Sequence, residues 1–302
     1  MKICDGRVVI VTGAGRGLGR AYALGLAAAG AKVVVNDLGV GTHGDSTEET
    51  PAAQVVEEIR AMGGAAVASF EDITDWEASK RVVQTAIDSF GGLHAVVNNA
   101  GFVRDRMFVS ATPEEWDAVM NIHLRGHFCT SRHAVDYWRA EQKAGRPVDA
   151  RIVNTSSGAG LHGSIGQSAY AAAKAGIATL TLVQAAELAR YGITANGLAP
   201  NARTRMTETA FAEAMRPQEN VFDIWDPDNT APLVAWLCSE ASRDVSGEIF
   251  ELLGGKLRLC LGWTDGPEED KGARLASEEI GPMVGRLLQA RPKAHPVWGS
   301  AG

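Results

Sequence analysis

RVVIVTGAGRGLGRAYALGLAAAGAKVVVND, residues 7–37, is the stretch on which the fold turns. Val8-Val9-Ile10-Val11 is a β-branched apolar run, the pattern of a strand covered on both faces. A glycine-rich turn follows, Thr12-Gly13-Ala14-Gly15-Arg16-Gly17-Leu18-Gly19. The alanine- and leucine-rich segment after it predicts a helix closed by Gly30, and residues 31–37 repeat the strand pattern. Strand, glycine turn, helix and strand within about 30 residues make a βαβ unit.

The turn reads T-G-x-x-x-G-x-G, with Leu18 where G-x-G-x-x-G would place its last glycine. Glycines allow a tight turn and a close approach of backbone to a pyrophosphate, and the helix behind offers free N–H groups to an anion. Glycines also serve strand–helix packing, but the position between first strand and first helix favours a nucleotide. Gly13, Arg16, Gly17, Leu18 and Gly19 are therefore cofactor candidates. Asp37 ends the second strand, 18 residues after Gly19. A carboxylate there accepts from both adenine-ribose hydroxyls and repels a 2′-phosphate, which favours NAD. Arg16 pulls the other way and keeps NADP open, because a guanidinium suits a 2′-phosphate. Asp72, after the third strand, is a candidate contact for the adenine amino group or a cap for the next helix.

Outward from this unit the alternation continues. Strands are expected in GAAVASF, LHAVVNNAG, ARIVNTSS, ITANGLAP and GEIFELLGG. Helices are expected over 75–90, 113–143, 168–191 and 231–239. Seven strands alternating with helices predict an α/β fold, a doubly wound, mainly parallel seven-stranded Rossmann-type sheet. Three segments break the rhythm: a polar loop at 38–51, a charged stretch at 201–229 suited to covering a substrate, and a proline-bearing tail. The expected organisation is one domain over 1–255 and a C-terminal extension over 256–302.

Composition narrows the function. Of 302 residues 45% are apolar, enough for a large core, and the net charge of -7 argues against nucleic acid or an anionic membrane as the main partner. No apolar run reaches membrane-spanning length. Cys4, Cys129, Cys238 and Cys260 form no C-x-x-C pair, so they read as free thiols of a cytoplasmic protein.

The chemistry is expected in QSAYAAAKAG, residues 167–176. Among the four tyrosines, Tyr170 alone has a lysine at i+4, Lys174, on the same helix face. A neighbouring ammonium favours phenolate and is expected to lower the tyrosine pKa, making a proton donor or acceptor for neutral pH. Alone, the pair reads by default as a surface tyrosine beside a solvated lysine. Ser157 shifts that balance, since it lies at the C-terminal end of a strand, where open α/β sheets bind ligands. Asn121, in the preceding helix, could link Lys174 to solvent through a water.

The glycine turn, NNAG (residues 98–101), Asn121, Ser157, Tyr170 and Lys174 together resemble the short-chain dehydrogenase/reductase family over roughly residues 5–255. The resemblance implies a nicotinamide cofactor, a small-molecule substrate and a homodimer or homotetramer. It implies that Tyr170 is the acid/base, that Ser157 orients the substrate oxygen, that Lys174 binds the nicotinamide ribose and that Asn121 supports a proton relay. It places Asn98, Ala100, Gly101 and Pro200 beside the cofactor. Within the family, VVVNDLG, RDRMF, HLRGHF and APNARTRM look like the 3-hydroxyacyl-CoA dehydrogenases of β-oxidation, with hydroxysteroids as the alternative substrate. Arg104, Arg106, Arg203 and Arg205 are then candidate contacts for coenzyme A phosphates, or members of ion pairs. His123 and His127 stand at i, i+4 without the carboxylate of a metal motif, so no metal is expected and they read as structural or subunit-contact residues.

Overall fold

The structure, a computed structural model, describes residues 2–39, 50–204, 215–292 and 295–300. Arg205 and the central parts of the 38–51 loop and the 201–229 cover lie outside the described residues. The opening unit forms as expected: β1 (Val8–Thr12), α1 (Gly17–Ala28) and β2 (Lys32–Asn36). Then come α2 (Pro51–Ala61), β3 (Ala65–Ser69), α3 (Trp76–Phe90), β4 (Ala95–Asn98), α4 (Pro113–Met120) and α5 (Gly126–Lys143). β5 (Ala150–Thr155), α6 (Gly158–His162), α7 (Ser168–Leu188), β6 (Ile193–Asn201), α8 (Ala231–Leu237), β7 (Ile249–Leu253), β8 (Lys256–Cys260) and α9 (Ser277–Ala290) complete the order.

The sheet runs β3-β2-β1-β4-β5-β6-β7-β8. β1 to β7 pair in parallel, and the order reverses between β1 and β4. Both faces are covered, which is why the strands read as unbroken apolar runs. Val9, Val11, Val33 and Val35 point into a core with Leu26, Val55, Ile59 and Leu237 from α1, α2 and α8. Val8, Ile10, Val34 and Val96 point the opposite way, against Val82, Ala86 and Trp138 from α3 and α5. Gly19 is set by close approach, because a Cβ there would lie 2.0 Å from the Gly13 carbonyl oxygen.

Three differences from the sequence expectation stand out. The sheet has eight described strands, not seven: β8 pairs antiparallel with β7, Leu253 opposite Lys256. The two residues between are Gly254 and Gly255, a tight hairpin turn, so the boundary read at residue 255 cuts through a hairpin. The tail beyond is not plain coil, since α9 forms with Pro282 inside it. The helix expected over 113–143 is continuous, but α4 and α5 are joined by one π turn, Asn121–Arg125, in which the Gly126 N–H donates to the Asn121 carbonyl. Among the described residues no helix is long and apolar enough to cross a membrane.

Candidate active site

The reversal of strand order leaves a crevice at the C-terminal ends of the strands, the usual ligand position in such sheets. A cleft of ≈ 360 Å³ opens there, running from Asp37 and Asp72 at one end to Gly101, Phe102 and Asn121 at the other. Gly13, Arg16, Gly17, Leu18, Gly19 and Ala100 are among its lining residues. α1 begins without a side-chain cap at Arg16, so its first amides remain available to an anion. The Asp37 carboxylate accepts the Gly15 N–H and the Gly39 N–H, each at 2.8 Å, and is held at the rim. Asp72 accepts from the amide and hydroxyl of Thr74 at 2.8 Å each. A glycine turn, an uncapped helix start and a fixed carboxylate together fit a dinucleotide.

Asn98 does not line this cleft. It is fully buried, and its side-chain amide donates to Ser131 (2.8 Å) and to Asn154 (2.9 Å). Strand alternation turns Asn99 outward instead, where it lines the cleft and donates to the Thr12 and Gly13 carbonyls at 3.0 and 3.1 Å. Asn99, Asn36 and Thr74 were missed by sequence reasoning; Asn36 and Asn99 sit at or just past a strand end, which was the available signal, while Thr74 lies in the turn before α3. Pro200, in β6, lies outside the cleft lining.

The reactive groups stand beside the cleft. Ser157 caps α6, its hydroxyl accepting the Ala159 N–H at 3.2 Å, and it lies near enough to Tyr170 to ease ionisation of the phenol. α7 carries Tyr170 and Lys174 on one face, with the Lys174 ammonium 5.6 Å from the Tyr170 ring centre. Lys174 is buried and donates to the Thr155 carbonyl at 2.6 Å. Burial lowers its pKa from 10.5 to about 7. Burial also raises the Tyr170 pKa; the Ser157 hydroxyl works against this and Asp105 adds to it. The expectation that Lys174 lowers the tyrosine pKa thus fails here: desolvation of the phenolate is the larger effect.

The helix side chain set against Tyr170 is His123, while Asn121 lines the cleft. Asn121 is exposed, whereas the His123 ring meets Tyr170 edge-on at 5.2 Å and its Nε2 lies 2.7 Å from the Phe102 carbonyl. Gly101 makes room for that ring, since a Cβ there would fall 2.0 Å from His123 Cε1. His123 and His127 are both buried behind the site, so the subunit-contact reading does not hold. Arg106 pairs with Glu115 (3.0 Å), Arg203 with Asp223 (2.6 Å), and Arg104 lies over the Phe102 ring. The ion-pair reading therefore describes Arg106 and Arg203. At the far side, the tail folds back onto this region. Ser164 bridges to Trp298, and the Trp298 ring covers Gly158, where a Cβ would meet it at 2.1 Å.

Comparison with known proteins settles the class. The family model of the short chain dehydrogenases matches residues 7–219. The chain belongs to the short-chain dehydrogenase family. It is thus an oxidoreductase acting on CH–OH groups with a nicotinamide cofactor. It is 46% identical over 261 residues to the hydroxyacyl-CoA dehydrogenase ChsB1 of Mycobacterium tuberculosis, covering 84% of this chain and 80% of that one. It is 45% identical over 251 residues to the peroxisomal multifunctional enzyme type 2 of Mus musculus, covering 83% of this chain but 32% of the mouse protein. The crystal structure of a short chain dehydrogenase from Mycobacterium avium superposes with a TM-score of 0.89 at 55% identity, covering 99% of this chain and 100% of the other.

Proposed function

We propose that this dehydrogenase interconverts a 3-hydroxyacyl-CoA thioester and its 3-keto form with NAD. The observation that carries the reading is Tyr170 and Lys174 on one face of α7, the ammonium 5.6 Å from the phenol ring centre, with Ser157 at the end of the adjoining strand. Ser157 holds the substrate oxygen, and Tyr170 accepts its proton in oxidation or returns it in reduction. Lys174, buried beside the pair and donating to the Thr155 carbonyl, would hold the nicotinamide ribose. When bound, NAD would supply the hydride-transfer chemistry at the carbinol carbon. Asp37 would hold the adenine ribose, and its fixed negative charge disfavours a 2′-phosphate.

The acyl-CoA choice rests on the named relatives and on an apolar lip. Met107, Phe108 and Val109 are exposed, and Arg106 beside them bridges to Gln167 at the start of α7. Exposed apolar side chains grouped at a site mark a binding surface for an apolar ligand. A second copy of the chain is the proposed partner. The groove between the α4–α5 helix and α7 presents Phe128, Leu124, Leu180 and Val183 around the small Gly176. The free thiols Cys4, Cys129, Cys238 and Cys260 support a reducing compartment such as the cytoplasm.

The test is a substrate panel followed by NADH absorbance, with 3-hydroxyacyl-CoA esters and hydroxysteroids each run with NAD and with NADP. Higher kcat/KM for the thioesters with NAD is expected. A clear steroid preference, or a preference for NADP, would overturn the corresponding part of the reading.

A further inference from the structure

Arg203 joins both ends of the segment that runs from β6 to α8. Its backbone N–H donates to the Trp225 carbonyl at 2.6 Å. Its guanidinium donates to the Met215 carbonyl at 2.7 Å and to the two carboxylate oxygens of Asp223 at 3.3 and 2.6 Å. The Arg203 and Asp223 side chains are 18% and 21% exposed, against 59% for Arg106 in its surface pair. A forked pair that is partly buried is screened less by solvent than a surface ion pair. The guanidinium also holds the Asp223 carboxyl below the usual carboxylate range, so the pair is charged at neutral pH.

Asp223 is itself fixed. Its carboxylate accepts the Trp225 N–H at 3.1 Å, and its carbonyl accepts from the Asn229 side-chain amide at 2.8 Å. Asn229 lies in the 3-10 helix Pro227–Thr230 that leads into α8. α8 packs on α1, where a Cβ at Gly25 would fall 2.6 Å from the Ala231 Cβ. Ile224 and Phe222 lie over the hairpin after β7, where a Cβ at Gly254 would meet them at 3.0 and 3.2 Å. On the other stem, the Asn201 side chain donates to Glu251 of β7 at 3.2 Å. Arg203 thus ties the stem that leaves the sheet to the stem seated on α8 and the hairpin.

The residue after Arg203 is Thr204, which lines the nucleotide cleft. It stands at the start of α1: a Cβ built on Gly17, the first residue of that helix, would meet Thr204 Cγ2 at 3.5 Å. The amides there have no side-chain cap and are open to an anion. We propose that Arg203 is a positioning residue for the cofactor: its clamp on Met215 and Asp223 fixes the chain that presents Thr204 to the dinucleotide. Neither Arg203 nor Asp223 lines the cleft, so the effect passes through Thr204. The proposal rests on the dehydrogenase reading given above and adds the clamp to the groups on which cofactor affinity depends.

NADH binding to the full chain, read by fluorescence, tests this, with NADPH in its place if the parent protein binds that dinucleotide more tightly. Arg203→Met removes the donors and keeps an unbranched side chain. Asp223→Asn removes the charge and keeps an acceptor for the Trp225 N–H. Each should weaken NADH binding by about tenfold, the loss expected for hydrogen bonds to a charged group. Arg203→Lys keeps the charge without the fork and should fall between. The decisive measurement is a double-mutant cycle. Thr204→Ala should itself weaken NADH binding, and Arg203→Met should cost little more in that background. In turnover, KM for NAD should rise in parallel while kcat at saturating NAD changes by less than about threefold. A clamp that serves stability alone would lower the urea midpoint and leave NADH affinity where it was. Unchanged NADH affinity in Arg203→Met and Asp223→Asn would overturn the proposal. So would a Thr204→Ala protein that binds NADH like the parent, or an undiminished loss from Arg203→Met in the Thr204→Ala background. Should Arg203→Met not fold, Asp223→Asn in both backgrounds decides the same question. If no hydroxyacyl substrate is turned over, the functional reading fails while the NADH titrations still decide the role of Arg203.

Discussion

At the residue scale, burial sets the behaviour of the reactive pair more than proximity does. Tyr170→Phe keeps the ring and removes the proton acceptor, so kcat should fall by roughly 10²–10⁴. NAD affinity should hold; quenching of protein fluorescence on titration with NADH, beside steady-state rates, checks both halves. Lys174 makes a second prediction. It titrates at about 7 in place of 10.5, a difference of roughly 5 kcal/mol. Between these values the unfolded chain holds the extra proton, so stability rises with pH across that window. The cost of Lys174 is thus complete below pH 7 and gone above 10.5. Lys174→Met removes the cost but leaves the Thr155 carbonyl unpaired, about 1–3 kcal/mol. The variant should therefore be inactive yet more stable than the parent by roughly 2 kcal/mol at pH 6, and less stable at pH 10.5. Urea unfolding at both pH values reads this, and a Lys174→Met protein weaker at pH 6 would contradict it. Tyr170, Lys174, Ser157 and Asp37 were legible because each carries its signal in spacing or at a strand end. Asn99 and His123 were not: which of two adjacent asparagines faces the cleft depends on strand register, and a π turn decides which helix residue meets Tyr170.

At the element scale, the C-terminal segment bears on the active site. The Trp298 ring lies over Gly158, the residue after Ser157, and its backbone joins the loop before α7 through Ile165 N–H to Trp298 O at 2.9 Å. Trp298→Ala should raise KM for the acyl substrate several-fold, by loss of packing worth roughly 1–3 kcal/mol, while KM for NAD stays within error. An unchanged acyl KM would mean that this contact serves the loop alone. The strands of the sheet were readable as apolar runs bounded by glycine. β8 was not read, although Gly254-Gly255 between two short alternating segments is a hairpin signal. α2 went unnamed because its apolar positions Ala52, Val55, Val56 and Ile59 follow directly on a polar loop. α9 was hidden by Pro282, which lies inside it at the sixth residue, past the first turn where proline costs no hydrogen bond.

At the scale of the whole molecule, the sheet buries both its faces, and among the described residues exposed apolar surface lies on the helical groove, the 107–109 lip, the 221–224 segment and the tail. Phe128 and Val183 are 45% and 44% exposed. Replacing both with glutamate should convert the proposed oligomer to monomer, measured by light scattering after gel filtration, with the far-ultraviolet circular dichroism unchanged. A parent protein that is already monomeric would remove this surface as the interface. The π turn between α4 and α5 has a different kind of consequence. It accommodates one residue more than regular α-geometry needs, so each flanking helix keeps its own face toward the sheet. Deleting one residue within 121–125 would leave both flanks aligned, whereas deleting one in α5 would swing everything after it by about 100°. A homologue one residue shorter in this helix should therefore carry its alignment gap inside 121–125, at the turn that presents His123.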